Sequence, residues 1–287
     1  MTHTTRGVLY IASKEPYLGE AIQSARSVRE HNPGLSITLY APAEYDAPPV
    51  IDEFEPLESP NHDFSDSNLS SDHTPYDRTL FLDSDTYVTG PLDDVFDVLD
   101  EHDLAAAHDP TRTGTVDHGH GADVPETFPQ YNTGVLAYRD CRNVRALFDR
   151  WHELYHSLPA FHGLNQPSFR VALYESDVDV ATLPPEWNFR IGNVANSVLY
   201  ACGEVRILHG RSMHWELPEA AAAVNATDER RVVVAKPSPE LIVDGERSAG
   251  ENVAYAADRA QWAYRKSGAL SILLTVGSMA KDKVMKA

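Results

Sequence analysis

Two aspartates separated by one residue follow a short apolar run in this sequence. The run covers residues 79–82, and Asp83-Ser84-Asp85 comes directly after it. Such a run predicts a buried strand, and open α/β sheets bind ligands where their strands reach their carboxyl ends. Two carboxylates at positions i and i+2 can hold one hard divalent cation, with water and phosphate oxygens as further ligands. Two surface aspartates closing a turn are the alternative, but the preceding strand and the small Ser84 favour a cation site.

The overall charge limits what this site can bind. The chain has 43 Asp and Glu against 24 Lys and Arg, a net charge of −19. A field of this sign disfavours nucleic acid, and it repels a phosphorylated ligand unless a bound cation reverses the local charge. We interpret the acidic surface as an adaptation to a high-salt cytoplasm, because salt at about 1 M shortens the Debye length to about 3 Å. The protein is therefore expected to be halophilic.

The elements around the aspartates predict an α/β fold. The chain opens β-α-β, the unit of a parallel sheet, with strands at 7–13 and 35–41 and a helix over 18–28. The further elements expected are strands at 50–54, 78–83, 104–107, 133–138, 178–183 and 205–209, and helices at 91–100, 144–155 and 166–174. They complete a first domain, residues 1–215. Residues 216–287 are expected to form a mostly helical C-terminal extension with a strand near 231–235.

Several short motifs follow one another in a fixed order along the first domain. In chain order they are Ala12-Ser13 with Tyr17, Tyr76 to Asp85, Pro91 to Asp97, Asn132-Thr133-Gly134-Val135, Asn165-Gln166 and His209-Gly210. This pattern resembles the family 8 glycosyltransferases of the GT-A fold, including glycogenin-like and galactosyltransferase-like enzymes. The resemblance implies a Rossmann-like, mainly parallel sheet flanked by helices. It also implies metal-dependent transfer of a sugar, with retention, from a nucleotide-diphosphate donor such as a UDP-sugar to an unknown acceptor.

The resemblance also implies roles for single residues. Asp83, Asp85 and His209 would bind Mn²⁺ or Mg²⁺ on the donor diphosphate. Arg78, Asn132 and Gln166 would hydrogen-bond the donor sugar, and Asn165 would lie beside them at the reaction centre. The other expected donor contacts are Ala12, Ser13, Tyr17 (which could stack on the base), Ser84, Gly134 and Arg211.

The chain departs from the family pattern in two places. Asn165 stands where the family has Asp, and a neutral amide cannot serve there as an anionic nucleophile. The family's lysine after His209 is absent, so Arg211 or His214 would have to replace it. Two other functions stay open: a non-catalytic nucleotide-sugar-binding scaffold, and a haloacid-dehalogenase-like phosphatase. The phosphatase shares the aspartate motif but needs a downstream lysine, and the next one here is Lys236.

Two segments outside these motifs also allow more than one interpretation. Residues 111–130, with His118 and His120, have no periodicity, which fits a lid over the donor or an irregular surface loop. The apolar residues 269–276 precede Lys281, Lys283 and Lys286. This tail fits a helix that docks on an anionic membrane near a lipid-linked acceptor, or one that packs on the core.

The sequence shows neither a signal peptide at its N-terminus nor an apolar run of about 18 residues. We therefore expect a cytoplasmic location, with peripheral membrane contact as an option. The expected partners are a nucleotide-sugar donor and a glycan, protein or lipid-linked acceptor.

Overall fold

A seven-stranded sheet organises the part of the chain that the structure describes. This computed structural model describes residues 5–57, 60, 66, 69, 73–113, 124–157, 165–191, 198–211, 216–226, 231–234 and 240–243. The strands among them are β1 (Arg6–Ile11), β2 (Ser36–Pro42), β3 (Glu53–Leu57), β4 (Arg78–Leu82), β5 (Thr86–Val88), β6 (Leu104–Thr113), β7 (Pro129–Arg139), β8 (Val180–Leu183), β9 (Phe189–Arg190), β10 (Val198–Ala201), β11 (Ile207–His209), β12 (Arg231–Val234) and β13 (Glu240–Val243). The helices are α1 (Tyr17–His31), α2 (Asp93–Asp97), α3 (Arg142–Ser157), α4 (Gln166–Tyr174) and α5 (Leu217–Val224), with 3₁₀ turns at Val98–Asp100 and Pro185–Trp187.

The large sheet has the order β3-β2-β1-β4-β7-β6-β8 and is mostly parallel. Only β7 runs against its neighbours, since it pairs antiparallel with both β4 and β6. The central strands are buried over most of their length and mainly apolar there, and the buried stretches are residues 7–11 of β1, 79–82 of β4 and 130–138 of β7. Continuous apolar strands are expected where helices cover both faces of a parallel sheet.

Helices pack on both faces of this sheet. Val8 and Tyr10 of β1 belong to a core with α1 and α2, whereas Leu9 and Ile11 point to the opposite face and join a core with α3 and α4. The alternation follows from the two-residue period of a strand. This arrangement is the predicted α/β fold.

The antiparallel strand β7 brings its first half to the carboxyl end of β4. Val135 pairs with Leu82, and the amide of Asp83 donates to the carbonyl of Gly134 over 2.8 Å. The segment Asn132-Thr133-Gly134 therefore lies beside the aspartate pair.

A second, three-stranded sheet of order β5-β11-β9 adds the late part of the chain to this region. His209 pairs with Thr86, and the amide of Gly210 donates to the carbonyl of Asp85 over 2.8 Å. A histidine more than 120 residues downstream in the sequence is thereby fixed next to the aspartates. A third sheet has the order β10-β12-β13.

The structure differs from the sequence-based prediction in its short and edge strands. The predicted strand at 50–54 begins only at Glu53, and β6 and β7 extend to Thr113 and back to Pro129, into the segment expected to be irregular. The strands β5, β9, β10 and β13 were not predicted, because two to four residues are too few to show a period.

The chain divides into two units after Leu241. Residues 114–123, with His118 and His120, and residues 244–287, with the lysine-rich tail, lie outside the described residues, so the lid and the membrane-docking helix stay predictions. The separate C-terminal extension from residue 216 also stays a prediction. Among the described helices, none has the length and apolar character needed to cross a membrane.

Candidate functional site

A pocket of about 280 Å³ opens where β1 and β4 reach their carboxyl ends. The described residues that line it are Ile11, Ser13, Tyr17, Asp66, Asp83, Ser84, Asp85, Asn132, Thr133, Asn165, Gln166, Arg190, His209 and Arg211. Every predicted site residue that the structure describes is among them, except Ala12, Arg78 and Gly134; His214 lies outside the described residues. The pocket therefore brings together motifs that are far apart in the sequence.

Three potential metal ligands converge at the base of this pocket. One ligand atom from each of Asp83, Asp85 and His209 lies within 4.8 Å of the others. Nε2 of His209 is 3.6 Å from Oδ2 of Asp83 and 3.5 Å from Oδ1 of Asp85. One ion can bridge atoms at these separations with metal–ligand distances of roughly 2.0–2.2 Å.

A neighbouring asparagine orients the imidazole of His209. Nδ1 of this buried histidine lies 2.8 Å from Oδ1 of Asn188. The side-chain nitrogen Nδ2 of Asn188 donates to Oδ1 of Asn132 over 2.8 Å. The same oxygen of Asn132 also accepts from the backbone amide of Gly134. Because the Asn188 oxygen can only accept, Nδ1 of His209 carries the proton and Nε2 keeps its lone pair for a metal.

Gly134 leaves the space in which two of these ligands meet. A β-carbon at this position would lie 2.2 Å from Cε1 of His209 and 2.5 Å from Oδ2 of Asp83. Both distances are far below van der Waals contact. Gly134 is thus part of the site through the absence of a side chain.

A buried chain of hydroxyl groups fixes the backbone of the aspartate motif. Oγ1 of Thr86 donates to the carbonyl of Asp83 over 2.8 Å, so it must accept from Ser24. Oγ of Ser24 in turn lies 2.8 Å from the hydroxyl of Tyr10. The chain of hydrogen bonds links β1, α1 and β5, and it sets where the two carboxylates point.

Positive charge surrounds the more buried carboxylate. Burial alone raises the pKa of Asp85, but the positive groups around it, including the guanidinium groups of Arg211 and Arg190, outweigh burial and hold this pKa well below its usual range. Nη1 of Arg211 lies 3.3 Å from Oδ2 of Asp85. Asp85 is therefore ionised at neutral pH, as a metal ligand must be.

Arg211 is also tied to the first helix. It donates two hydrogen bonds to the carboxylate of Glu20, over 2.7 and 2.5 Å, and these bonds raise its pKa. Its guanidinium lies 5.1 Å from the ring centre of Tyr17, and Ser84 donates to Glu20 over 3.1 Å. A cation and an aromatic ring thus stand together at the rim of the pocket.

Two amide side chains lie at the start of α4. Oδ1 of Asn165 accepts from the hydroxyl of Thr133 over 3.1 Å, and Oε1 of Gln166 accepts from Gln130 over 3.2 Å. The indole of Trp151 and the hydroxyl of Ser168 fix the Asn165 carbonyl. Amide groups held in this way can pair with hydroxyl groups of a ligand.

Three predicted residues lie just after β1 or at the start of α1. Ser13 and Tyr17 line the pocket, while Ala12 is buried and its amide donates to the carbonyl of Tyr40 over 2.9 Å. Ala12 thus contributes by holding the end of β1 in place.

The structure corrects the expected position of Arg78. This residue begins β4, whereas Asp83 follows its end, and a strand of this length spans about 16 Å. The guanidinium of Arg78 donates to the carbonyl of Phe96 over 2.8 Å and to the carboxylate of Asp100. It therefore joins β4 to the segment after α2, and it does not reach the pocket.

Sequence reasoning missed several residues that shape the site. Arg190, Thr133 and Asp66 line the pocket, and Asn188 and Glu20 orient His209 and Arg211. Arg190 belongs to β9 and Asn188 directly precedes it, and a strand of two residues that pairs with β11 gives no periodic signal in the sequence.

The side chains present fit a divalent cation. Two carboxylate oxygens and a neutral imidazole nitrogen are ligands that Mn²⁺ or Mg²⁺ can share with phosphate oxygens and water. The space that Gly134 leaves and the fixed tautomer of His209 both serve this arrangement. A cation here, with Arg190 and Arg211 nearby, would give a positively charged pocket floor inside a strongly acidic protein.

The fold is that of GT-A glycosyltransferases. The galactosyltransferase LgtC, solved with donor and acceptor sugar analogues, is similar with a TM-score of 0.54 and 15% identity, covering 77% of this chain and 93% of that one. The glycosyltransferase GlyE of Streptococcus pneumoniae TIGR4 is similar with a TM-score of 0.52 and 22% identity, covering 74% of this chain and 55% of that one. No protein-family model and no curated protein matches the sequence.

Proposed function

We propose that this protein is a metal-dependent glycosyltransferase that uses a nucleotide-diphosphate sugar as its donor. The observation that carries the proposal is the convergence of Asp83, Asp85 and His209 at the carboxyl ends of the central strands. Without a cation the acidic protein repels a diphosphate. A cation at this cluster, Mn²⁺ or Mg²⁺, reverses the local charge.

The rest of the pocket supports a division of the donor into three parts. Tyr17 and Ser13 lie at the rim, where the base and ribose would bind. Arg211 stands beside the metal ligands and supplies a fixed cation for the diphosphate, in the role that a lysine has in the resembling family. Asn132, Asn165 and Gln166 offer amide groups to the sugar hydroxyls.

The chemistry follows from this arrangement. The bond between the anomeric carbon and the diphosphate oxygen breaks while the acceptor hydroxyl oxygen forms a new bond to that carbon, and the hydroxyl proton passes to the leaving diphosphate. A divalent cation would stabilise the charge that builds on the leaving diphosphate. Arg211 adds to that stabilisation, and the amides of Asn165 and Gln166 hold the sugar in position.

The stereochemistry is part of the proposal. Asn165 is neutral, so a covalent glycosyl intermediate at this position is not expected. We infer retention through attack on the same face of the sugar that the diphosphate leaves. The complex of LgtC with donor and acceptor sugar analogues supports a sugar acceptor for a protein of this fold.

The direct test is a donor screen with the full-length protein in molar KCl. UDP-, GDP-, ADP- and CDP-sugars are each offered with Mn²⁺, with Mg²⁺ or with EDTA, and the thermal midpoint and the release of nucleoside diphosphate are measured. A donor present at about 100 times its Kd stabilises the folded state by about 2.7 kcal/mol. We expect one donor to give this shift with metal and to lose it in EDTA.

Matched variants connect the result to the site. Asp83→Asn and Asp85→Asn should abolish the shift and the nucleotide release while the protein stays folded. Asp93→Asn removes the same charge from an exposed carboxylate that pairs with Arg6 outside this pocket, and it should behave as wild type. Normal donor binding by both site variants would disprove the metal-site assignment.

A non-catalytic nucleotide-sugar binder is the second candidate, and the neutral Asn165 favours it. It predicts the metal-dependent thermal shift without release of nucleoside diphosphate in any acceptor mixture. A phosphatase would instead release inorganic phosphate from a monoester, and the fold does not favour it.

The cellular setting is proposed on the sequence alone. We propose a cytoplasmic, salt-adapted enzyme whose C-terminal residues 268–287 contact an anionic membrane. Flotation with vesicles of phosphatidylglycerol, comparing full-length protein with a chain that ends at residue 267, tests the membrane contact. Equal partition of the two chains would count against it.

A further inference from the structure

Arg190 places a guanidinium directly against the imidazole of the metal-ligand cluster. Its Nη1 lies 2.8 Å from Nε2 and 3.1 Å from Nδ1 of His209. The two nearly equal distances show that the group lies across the ring and does not follow the lone pair of one nitrogen. Its charge also lowers the pKa of Asp85.

The positive charge of a guanidinium in this position weakens the binding of a metal ion when no anionic ligand binds with it. An ion bound to Asp83, Asp85 and His209 would lie within a few ångströms of the arginine charge. His209 is 1% exposed, so solvent screens this repulsion poorly. In this position Arg190 itself balances part of the negative charge of the two aspartates.

The hydrogen-bonding groups of Arg190 are not fully satisfied in this position. Among the residues that the structure describes, Nε of Arg190 is buried and has no hydrogen-bond partner. The side chain lines the pocket, next to the space that a diphosphate on the metal would fill. A guanidinium has planar, paired donors that match phosphate oxygens well, better than they match an imidazole.

We propose that Arg190 makes the binding of the metal and of the nucleoside diphosphate depend on each other. In its position against His209, Arg190 weakens binding of the metal alone. When metal and diphosphate bind together, the guanidinium turns from the imidazole to the phosphate oxygens. Its charge then stabilises the bound diphosphate and no longer weakens binding of the metal. This inference rests on the proposed function, since it requires a diphosphate ligand.

The first measurement concerns the metal alone. Mn²⁺ is titrated into full-length protein, and free Mn²⁺ is followed by electron paramagnetic resonance. Two uncharged variants, Arg190→Gln and Arg190→Met, should bind Mn²⁺ about tenfold more tightly than wild type, within the usual range of coupling between sites. Arg190→Lys keeps the charge and should stay near wild type.

A charge-matched control separates this effect from the net charge of the protein. Arg206→Gln removes one positive charge just before β11, from a side chain that pairs with Glu204 and is not among the described lining residues. It should bind Mn²⁺ as wild type does. Circular dichroism checks that each variant is folded, and either uncharged variant is sufficient for the test.

The second measurement concerns the coupling. UDP, GDP, ADP and CDP are titrated with and without saturating Mn²⁺, and the ratio of the two dissociation constants is compared between variants. We expect this ratio to be on the order of 100 in wild type and about tenfold smaller in Arg190→Gln. Unchanged Mn²⁺ affinity, or an unchanged ratio, in the uncharged variants would overturn the inference. If no nucleoside diphosphate binds the wild type at all, the proposed function itself fails.

Discussion

Gly134 and His209 are so close that a β-carbon on the glycine would lie 2.2 Å from Cε1 of the imidazole. The same carbon would lie 2.5 Å from Oδ2 of Asp83. Contacts this short do not occur between non-bonded atoms. Any side chain at position 134 must therefore displace the imidazole of His209, the carboxylate of Asp83, or both. The backbone of β7 thus determines whether the aspartate motif and the late histidine can meet.

The variant Gly134→Ala should lose metal affinity while it keeps its fold. Displacing the imidazole by about an ångström removes one ligand from its position, and disturbed positioning of ligands costs roughly 10- to 100-fold in affinity. Calorimetric titration with Mn²⁺ measures the loss. Gly203→Ala is the control, since the nearest atom to its added carbon is 3.8 Å away in Glu186. Equal Mn²⁺ affinity of the two variants would contradict the steric argument.

Asn188 should control which nitrogen of His209 is free for a metal. Asn188→Leu keeps a similar volume but removes the oxygen that lies 2.8 Å from Nδ1. The imidazole then loses its fixed tautomer, and we expect Mn²⁺ to bind roughly 10- to 100-fold more weakly. Nitrogen NMR of the imidazole should show the proton on Nδ1 in wild type and a mixture in the variant.

A second substitution at the same position provides the control. Asn188→Asp keeps an oxygen that accepts from Nδ1, so it should retain the wild-type tautomer and most of the metal affinity. The role of Asn188 would be refuted by a leucine variant with unchanged affinity and an unchanged proton position.

The large elements could be predicted from the sequence because each one repeats a pattern. The helix of residues 18–28 has apolar positions at helical spacing, and all of its predicted core residues are buried in α1. The central strands β1 and β7 each contain an apolar run of five residues, and β4 contains one of three. The two-residue strand β9 has no pattern of its own and exists because Phe189 and Arg190 pair with β11. Its existence depends on tertiary structure, which no local pattern encodes.

The residues of the candidate site also fall into two groups: those that a local sequence pattern predicts and those that depend on tertiary structure. Asp83 and Asp85 stand out locally, since they follow an apolar strand. His209 entered the prediction through a resemblance of motif order, and the pairing of β5 with β11 explains its position. Arg78 followed the same motif order but begins β4, at the opposite end of the strand from Asp83. The roles of Asn188 and Arg190 depend on contacts between distant residues, so no spacing rule could have identified them.

The net charge of −19 predicts a stability that depends on salt. Raising KCl from about 0.1 to about 1 M shortens the Debye length from about 10 to about 3 Å, which weakens repulsion between surface carboxylates. We expect the thermal midpoint at pH 7.5 to rise by several degrees over this range. The rise should be much smaller near pH 5, close to the isoelectric point of about 5.0. A salt effect of equal size at both values of pH would count against charge repulsion as its cause.

Asp103 should make the stability of the protein depend on acid pH. Its carboxylate accepts hydrogen bonds from Arg139 and from the amide of Asp179 over 3.3 Å, and it thereby links the ends of β6, β7 and β8. Burial alone raises the pKa of this carboxyl, but the hydrogen bonds from Arg139 and Asp179 outweigh burial and lower it below the ordinary 3.8. The ionised form is therefore favoured in the folded state.

The sign of the pH effect follows from this lowered pKa. The ionised carboxylate contributes its full stability above the unfolded pKa of about 3.9, and the contribution disappears as pH falls through the lower folded value. Asp103→Asn should thus reduce the free energy of unfolding by roughly 2 kcal/mol at pH 7, the scale of a hydrogen bond to a charged group. The difference from wild type should shrink steadily below about pH 4.

Urea denaturation in molar KCl at pH 7, 4.5 and 3.5 measures this difference. Asp93→Asn is the matched control, because its carboxylate is exposed and contributes at most about 0.5 kcal/mol as a surface ion pair. Other carboxylates titrate equally in the wild type and in both variants, so their effects cancel when free energies are subtracted. A gap between wild type and Asp103→Asn that is the same at all three values of pH would show that Asp103 acts through packing and not through its charge.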